Sequence, residues 1–223
     1  MKGKLIVIDG VSASGKKTQT RMLVERLSRE GVKAEKIHFP TYNSTPYGGL
    51  VSNYLKGEFG PRKDIPPEIA AIFYAIDRYQ LKDELFKKLE HGVTLVLDRY
   101  SQSNYAYQTA ELNGDEKREL KEWLLVLESR LPQADAVVFI DVPLEVTQQL
   151  LKERDVKNEL LKPGETDIHE SDRLYEAKVR DTYLELANEL GWIVVNGASG
   201  NELKSREDIH REIYRALKNK GVL

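Results

Sequence analysis

The chain reads as an α/β protein of three layers, a parallel sheet of about five strands covered by helices on both faces. Three observations predict it. Short apolar runs alternate with helical periodicity along the whole chain. Gly31, Gly92 and Gly191 each follow a helical stretch and precede an apolar run, where helix stop signals belong. The first apolar run, Leu5-Ile6-Val7-Ile8-Asp9, passes through a glycine-bearing loop straight into an amphipathic stretch.

Taken in order, residues 4–9 form the first strand and 18–30 the first helix. A second strand at 33–39 runs into a loop at 41–49 rich in Tyr, Asn, Ser, Pro and Gly. Residues 48–56 have helical spacing, and the glycines and prolines of 57–67 only turn the chain. One long helix is predicted over 67–90, then a buried strand at 94–98 and helices at 101–110 and 115–130. The fourth strand, 136–141, precedes a helix at 144–153. Residues 155–168 lack apolar periodicity, and their charges suit either a solvated surface or a lid over phosphates. A helix at 170–190, a strand at 192–196, a short loop and a helix at 205–218 complete the chain. Most strands end in a polar or glycine-bearing loop, and in an open α/β sheet that edge is where ligands bind.

Residues 10–18 are Gly10-Val11-Ser12-Ala13-Ser14-Gly15-Lys16-Lys17-Thr18. Glycines let the backbone turn tightly and bring N–H groups close to phosphate oxygens. The helix that follows adds unpaired N–H groups and the positive end of its dipole. Lys16 can place a point charge on a phosphoryl oxygen. Lys17 stands where such loops normally carry a magnesium-binding Ser or Thr, which leaves Thr18 as the nearest hydroxyl for a metal. At the end of the third strand come Asp98 and Arg99, an acid placed to order magnesium and a cation placed to bridge anionic oxygens; a structural ion pair is the plainer alternative. Tyr74 and Arg78 lie four apart on one predicted helix, an aromatic face for a base beside a guanidinium fork for a phosphate. Aromatic residues at that spacing also serve ordinary packing, the role given to Phe73 and Tyr79.

The bulk numbers narrow the function class. With 223 residues, 40% hydrophobic and 31% charged, the chain suits a single domain with a sizeable core. A net charge of −2 gives no electrostatic case for nucleic acid or membrane surfaces. No run approaches a membrane span or a signal-peptide pattern. Zero cysteines exclude disulfides, thiolate metal sites and a cysteine nucleophile, and the expected compartment is the cytoplasm.

With these motifs in hand, the chain resembles the thymidylate kinase family of P-loop nucleoside monophosphate kinases. The resemblance rests on the loop 10–19, on His38-Phe39-Pro40 with Tyr42, and on the segment from Tyr74 to Arg78. It continues through Asp98-Arg99-Tyr100 and Ser103-Asn104-Tyr105-Ala106-Tyr107 to Asp167 and Glu170. It implies a P-loop kinase fold with strand order 2-3-1-4-5, one domain over residues 1–223 and a lid at 152–170. It implies transfer of the γ-phosphoryl of ATP to dTMP, with Mg²⁺, in a homodimer that binds neither nucleic acid nor membrane. Lys16, Asp98, Arg99 and Arg154 would then act in catalysis, residues 10–18 would bind ATP, and Thr18 and Asp98 would meet the metal. Phe39 and Tyr42 would shape the acceptor pocket, Tyr74 would stack on thymine, and Arg78 would hold thymine or the acceptor phosphate. Asn104 would read the thymine edge, Tyr107 would crowd a ribose 2′-hydroxyl, and Asp167 and Glu170 would lie where the lid returns. His169 falls near a position that is aromatic in relatives, and residues 196–201 are placed to border adenine.

The chain also departs from the family. Its third loop position, usually an acid, is Ser12; one branch follows that acid with an arginine, and here Ala13 stands. Lys17 replaces the usual hydroxyl, and Thr41-Tyr42 follows Phe-Pro where many relatives carry an arginine. A transition-state cation would come instead from Arg154, Lys152, Lys157 or Lys162. Two other readings therefore stand beside the first: a kinase of this fold with another nucleotide or deoxynucleoside as acceptor, and a nucleotide-binding homologue impaired in transfer.

Overall fold

A computed structural model describes residues 2–154, 172–200 and 202–223. Five parallel strands form its main sheet: β1 (Leu5–Asp9), β2 (Ala34–His38), β3 (Thr94–Asp98), β4 (Ala136–Asp141) and β5 (Ile193–Asn196). Their order is β2-β3-β1-β4-β5, the expected one. Ile8 pairs with Asp98 and Asp9 with Phe139, so β1, β3 and β4 reach one edge nearly level.

Side-chain alternation along the central strand builds the layers. Every residue of β1 is buried. Ile6 and Ile8 face one side, where Leu23 and Leu27 of α1 (Lys16–Arg29) and Ile209, Ile213 and Leu217 of α9 (Arg206–Asn219) cover them. Leu5 and Val7 face the other, against Leu85 and Leu89 of α4 (Lys82–Glu90). A period of two in the strand thus feeds two cores at once. Burying a Leu or Ile side chain stabilises by about 1.5–3 kcal/mol, so this strand anchors the edge on which the loops rest.

The remaining helices are α2 (Pro46–Leu55), α3 (Pro67–Tyr79), α5 (Ser101–Thr109), α6 (Gly114–Leu127), α7 (Leu144–Arg154) and α8 (Arg173–Leu190). The single helix predicted over 67–90 is two, α3 and α4. The break follows Gln80, whose side-chain amide donates to Asp77 O and Asp77 Oδ1 and to Thr45 Oγ1, competing with helix propagation. α1 begins at Lys16, two residues before the predicted start, because Gly15 adopts a left-handed conformation (φ 89°) and caps it. After β5 a two-residue antiparallel hairpin, Ala198–Ser199 with Glu202–Leu203, occupies what was predicted as loop. Residues 152–154 of the predicted lid continue α7; 155–170 lie outside the described residues. Among the described residues, no helix is long and apolar enough to cross a membrane.

Candidate active site

The loop after β1 packs closely on itself and on β4 at its first residue. A Cβ on Gly10 would lie 2.6 Å from Ser14 Oγ and 2.8 Å from Ile140 O, so only glycine fits there. Lys16 sits at the start of α1, 8% exposed, with Nζ donating to Val11 O at 2.5 Å and to Ser14 Oγ at 3.4 Å. Burial, reinforced by the positive charge of Arg99, pushes its amine down to about 7 against the opposing pull of Asp98, Asp9 and Glu176. The first turn of α1 brings the backbone groups and dipole of a helix N-terminus to the same place. Lys17 is exposed, whereas Thr18 is half-buried.

Two acids end adjacent strands and do different work. Asp9 is fully buried and accepts from Gly10 N at 2.8 Å, Ser103 Oγ at 2.9 Å and Tyr183 Oη at 2.7 Å. Burial raises its carboxyl above the ordinary range despite Arg99, Tyr183 and Lys16. Asp98 is also buried, and burial alone would raise it. His38, Lys16 and Arg99 outweigh that and hold it below the usual range. His38 Nδ1 lies 3.1 Å from Asp98 Oδ2 but is not aligned as a hydrogen bond, and Asp98 Oδ1 has no hydrogen-bond partner among the described residues. A buried carboxylate oxygen lacking a partner, with Thr18 at the head of α1, fits a magnesium ion held mainly by phosphates and water. No cluster of three His, Asp or Glu among the described residues suggests an all-protein metal cage.

Among the described residues, Arg99 is one of three non-glycine residues with positive φ, at 66°. Its N–H donates to Ile8 O at 3.1 Å. Its guanidinium donates to Ser103 Oγ at 3.3 Å and Tyr107 Oη at 3.3 Å, and lies 3.6 Å from Asp9. Lys16, Asp98 and Arg99, predicted together, do meet at one edge.

The acceptor-side residues divide. Tyr74 is half-buried, edge-on to Tyr54 with ring centroids 6.0 Å apart. Arg78, four residues further along the same helix, is 2% exposed and paired with the carboxylate of Glu128. Asn104 donates to that carboxylate at 2.8 Å and to Ala71 O at 3.1 Å, while its Oδ1 is buried with no partner among the described residues. Phe39 is 1% exposed and packs on Tyr100, so it supports the turn after β2 from within the core. Tyr42 (φ 49°) follows it, its ring 5.4 Å from that of His38. Tyr107 stands edge-on between Tyr175 and Tyr183. Thr41 is held by the buried Asp77 through its backbone N–H at 2.9 Å and its hydroxyl. The side chains of Arg154 and Lys152, and all of Lys157, Lys162, Asp167, His169 and Glu170, lie outside the described residues.

Sequence reasoning did not single out Asp9, Asp77, Glu128, Tyr183 or Glu176. Asp9 carried a usable signal, since it closes β1 as Asp98 closes β3. Glu176 and Tyr183, seven residues apart on α8, share the face that meets the loop.

The sequence model of the thymidylate kinase family matches residues 8–213. The chain belongs to the thymidylate kinase family. A thymidylate kinase of Plasmodium falciparum is 29% identical over 216 residues, 97% of this chain and 90% of that one. A probable thymidylate kinase of Pyrococcus abyssi is 30% identical, covering 98% of each. The solved thymidylate kinase of Candida albicans superposes with a TM-score of 0.72 at 24% identity, over 99% of this chain and 93% of that one, and shares the fold. In this thymidylate kinase family member, Ser12 and Thr41 are each met by a buried acid, Glu176 and Asp77.

Proposed function

We infer that the protein transfers the γ-phosphoryl group of ATP to dTMP, giving dTDP and ADP. Family membership over residues 8–213 carries the inference, and the meeting of Lys16, Asp98 and Arg99 supports it. Residues 10–18 would bind the ATP phosphates, and a charged Lys16 would offset the negative charge spread over the transferring group. Arg99, fixed by its backbone and by Tyr107, would hold donor and acceptor phosphates in line. The dTMP phosphate is already an anionic nucleophile at neutral pH, so no protein base is required.

Thr18 and Asp98 would hold Mg²⁺, which supplies charge neutralisation of the ATP phosphates when bound. On the acceptor side, Tyr74 would stack on thymine and the partnerless Oδ1 of Asn104 would accept from thymine N3–H. Tyr42, Phe39 and Tyr107 would bound the sugar and phosphate, and Arg78 would reach the pocket's polar edge on leaving Glu128. Arg154, Asp167 and Glu170 would act from a lid at 152–170 within a single domain, excluding water that would otherwise hydrolyse ATP. A cytoplasmic homodimer without nucleic-acid or membrane partners is the proposed setting.

The test mixes purified protein with Mg·ATP and each common nucleoside monophosphate and follows ADP and diphosphate formation. Turnover with dTMP well above the others, abolished by Lys16→Ala, is expected. Preference for another acceptor would overturn the substrate, and ATP binding with no turnover would overturn the activity.

A further inference from the structure

We propose that Asp77 is a positioning residue for the acceptor. From α3 its carboxylate holds the turn after β2, residues 41–45, in the form that presents Tyr42, and acceptor affinity depends on it although it touches no acceptor atom. This rests on the reading of the site as a dTMP kinase. Asp77 is 0% exposed, which leaves its side chain no surface for a bound nucleotide. Both of its oxygens go to the turn. Oδ2 accepts from Thr41 N at 2.9 Å, and Oδ1 accepts from the Thr41 hydroxyl and from Thr45 Oγ1 at 3.5 Å. Gln80 Nε2 completes the cluster, donating at 2.8 Å both to Asp77 Oδ1 and to Thr45 Oγ1.

α2 grips the same turn. Thr45 caps that helix, its hydroxyl accepting from Gly48 N at 3.1 Å. A Cβ on Gly48 would collide with Thr41 Oγ1 and Tyr42 O and lie 2.6 Å from Tyr42 N, so α2 packs directly on the turn. Between the two helices Tyr42 is kept at φ 49°, its ring 5.4 Å from that of His38, and His38 stands beside Asp98 at the reacting edge. A left-handed conformation is disfavoured for an L-residue about 5–30-fold. The turn's own 3₁₀ helix is only three residues long, Tyr42–Ser44, so the carboxylate supplies what local structure does not. When the competent form is populated only in part, apparent affinity falls by that fraction and the rate from the bound state is unchanged. Loss of Asp77 therefore shows in KM for the acceptor, and not in kcat or in KM for ATP.

The test measures kcat and KM for dTMP and for ATP in the wild type and in Asp77→Ala, Asp77→Asn and Thr41→Val, under conditions where circular dichroism shows each variant folded. Asp77→Ala is expected to raise KM for dTMP about 5–30-fold, with kcat and KM for ATP within about threefold of wild type. Asp77→Asn keeps an acceptor for Thr41 N–H, and its amide can donate to the Thr41 hydroxyl, so KM for dTMP returns to within about threefold of wild type. An acid that only supports the fold gives a different pattern, fewer active molecules with both KM values unchanged. That pattern overturns the proposal, as does a parallel rise in both KM values or an Asp77→Asn as impaired as Asp77→Ala. If Asp77→Ala does not fold, Thr41→Val decides, because it keeps the backbone bond and the side-chain volume and loses only the hydroxyl bond. It is expected to raise KM for dTMP about threefold or more at unchanged KM for ATP, and an unchanged KM for dTMP overturns the proposal. Wild-type protein inactive on dTMP would overturn the functional reading and this proposal together; an active wild type whose KM for dTMP does not depend on Asp77 would overturn this proposal only.

Discussion

Lys16 gives the clearest pH signature in the molecule. Its amine, 8% exposed and pushed down to about 7, is mostly neutral in the nucleotide-free protein at about pH 8. Bound triphosphate brings several negative charges to it and restores the charged form. Binding at about pH 8 therefore takes up roughly 0.9 proton on this side chain, and at about pH 6 roughly 0.1. The sign follows from the depressed value. Between about 7 and 10.5 the free folded protein holds fewer protons than either the complex or the unfolded chain. ATP affinity accordingly falls about tenfold, or about 1.4 kcal/mol, for each pH unit above 7, while the free protein gains stability over the same window.

Calorimetric titration with Mg·ATP in buffers of different ionisation enthalpy measures the protons directly. Lys16→Arg is the reference, because a guanidinium stays charged and moves no proton, and titration of the nucleotide itself cancels in the difference. An excess uptake near 0.9 proton over Lys16→Arg at about pH 8 is expected, vanishing towards about pH 6. Equal uptake by the two proteins would refute the reasoning and show that Lys16 is already charged in its buried position.

Three other perturbations have definite outcomes. Glu128→Ala leaves Arg78 buried without its partner and should lower unfolding free energy in urea by about 3–5 kcal/mol; a loss under about 1 kcal/mol would show that water reaches the pair. Gly10→Ala forces a Cβ against Ser14 Oγ and Ile140 O, so ATP binding measured by fluorescence should weaken about tenfold or more with the fold retained by circular dichroism; unchanged binding would mean the loop yields. Tyr74→Ala should raise KM for dTMP about tenfold, consistent with loss of one base–aromatic stack, and leave KM for ATP in place; a parallel rise in both would assign Tyr74 to packing.

The sheet was legible because most strands carry their own pattern, short apolar runs ending in polar loops, and burial of β1, β3 and β4 demands those residues whatever the partner. Lys16, Asp98 and Arg99 were legible because strand ends in an open α/β sheet share an edge. Pairings distant in sequence were not. Nothing in residues 67–90 announces the break after Gln80, since no glycine or proline marks it and the apolar spacing continues; the break depends on Thr45 and Asp77 capturing one amide. Spacing reveals which side chains share a helix face, and not that Arg78 and Asn104 both meet one acid across the core. That acid, Glu128, is 50 residues from Arg78.

Backbone strain in the chain also collects at the site. Ala13, Tyr42 and Arg99 are the non-glycine residues with positive φ among those described, at 55°, 49° and 66°. They follow β1, β2 and β3 in turn and lie on the same edge. A left-handed conformation costs an L-residue about 1–2 kcal/mol, so the three together cost about 3–6 kcal/mol, a sizeable part of what a domain has to spare. Each is held by neighbours that leave little freedom. Arg99 N–H bonds Ile8 O, Thr41 beside Tyr42 is fixed by Asp77, and Ala13 lies between Ser12 on Glu176 and Ser14 against Lys16. A packed core gains nothing from such conformations, but a ligand site does, because they fix the turns that carry the loop and the Arg99 side chain at the sheet edge before any nucleotide arrives. Ser12 and Thr41 both lie within these restrained turns, and each is met by a buried acid from a helix, Glu176 and Asp77.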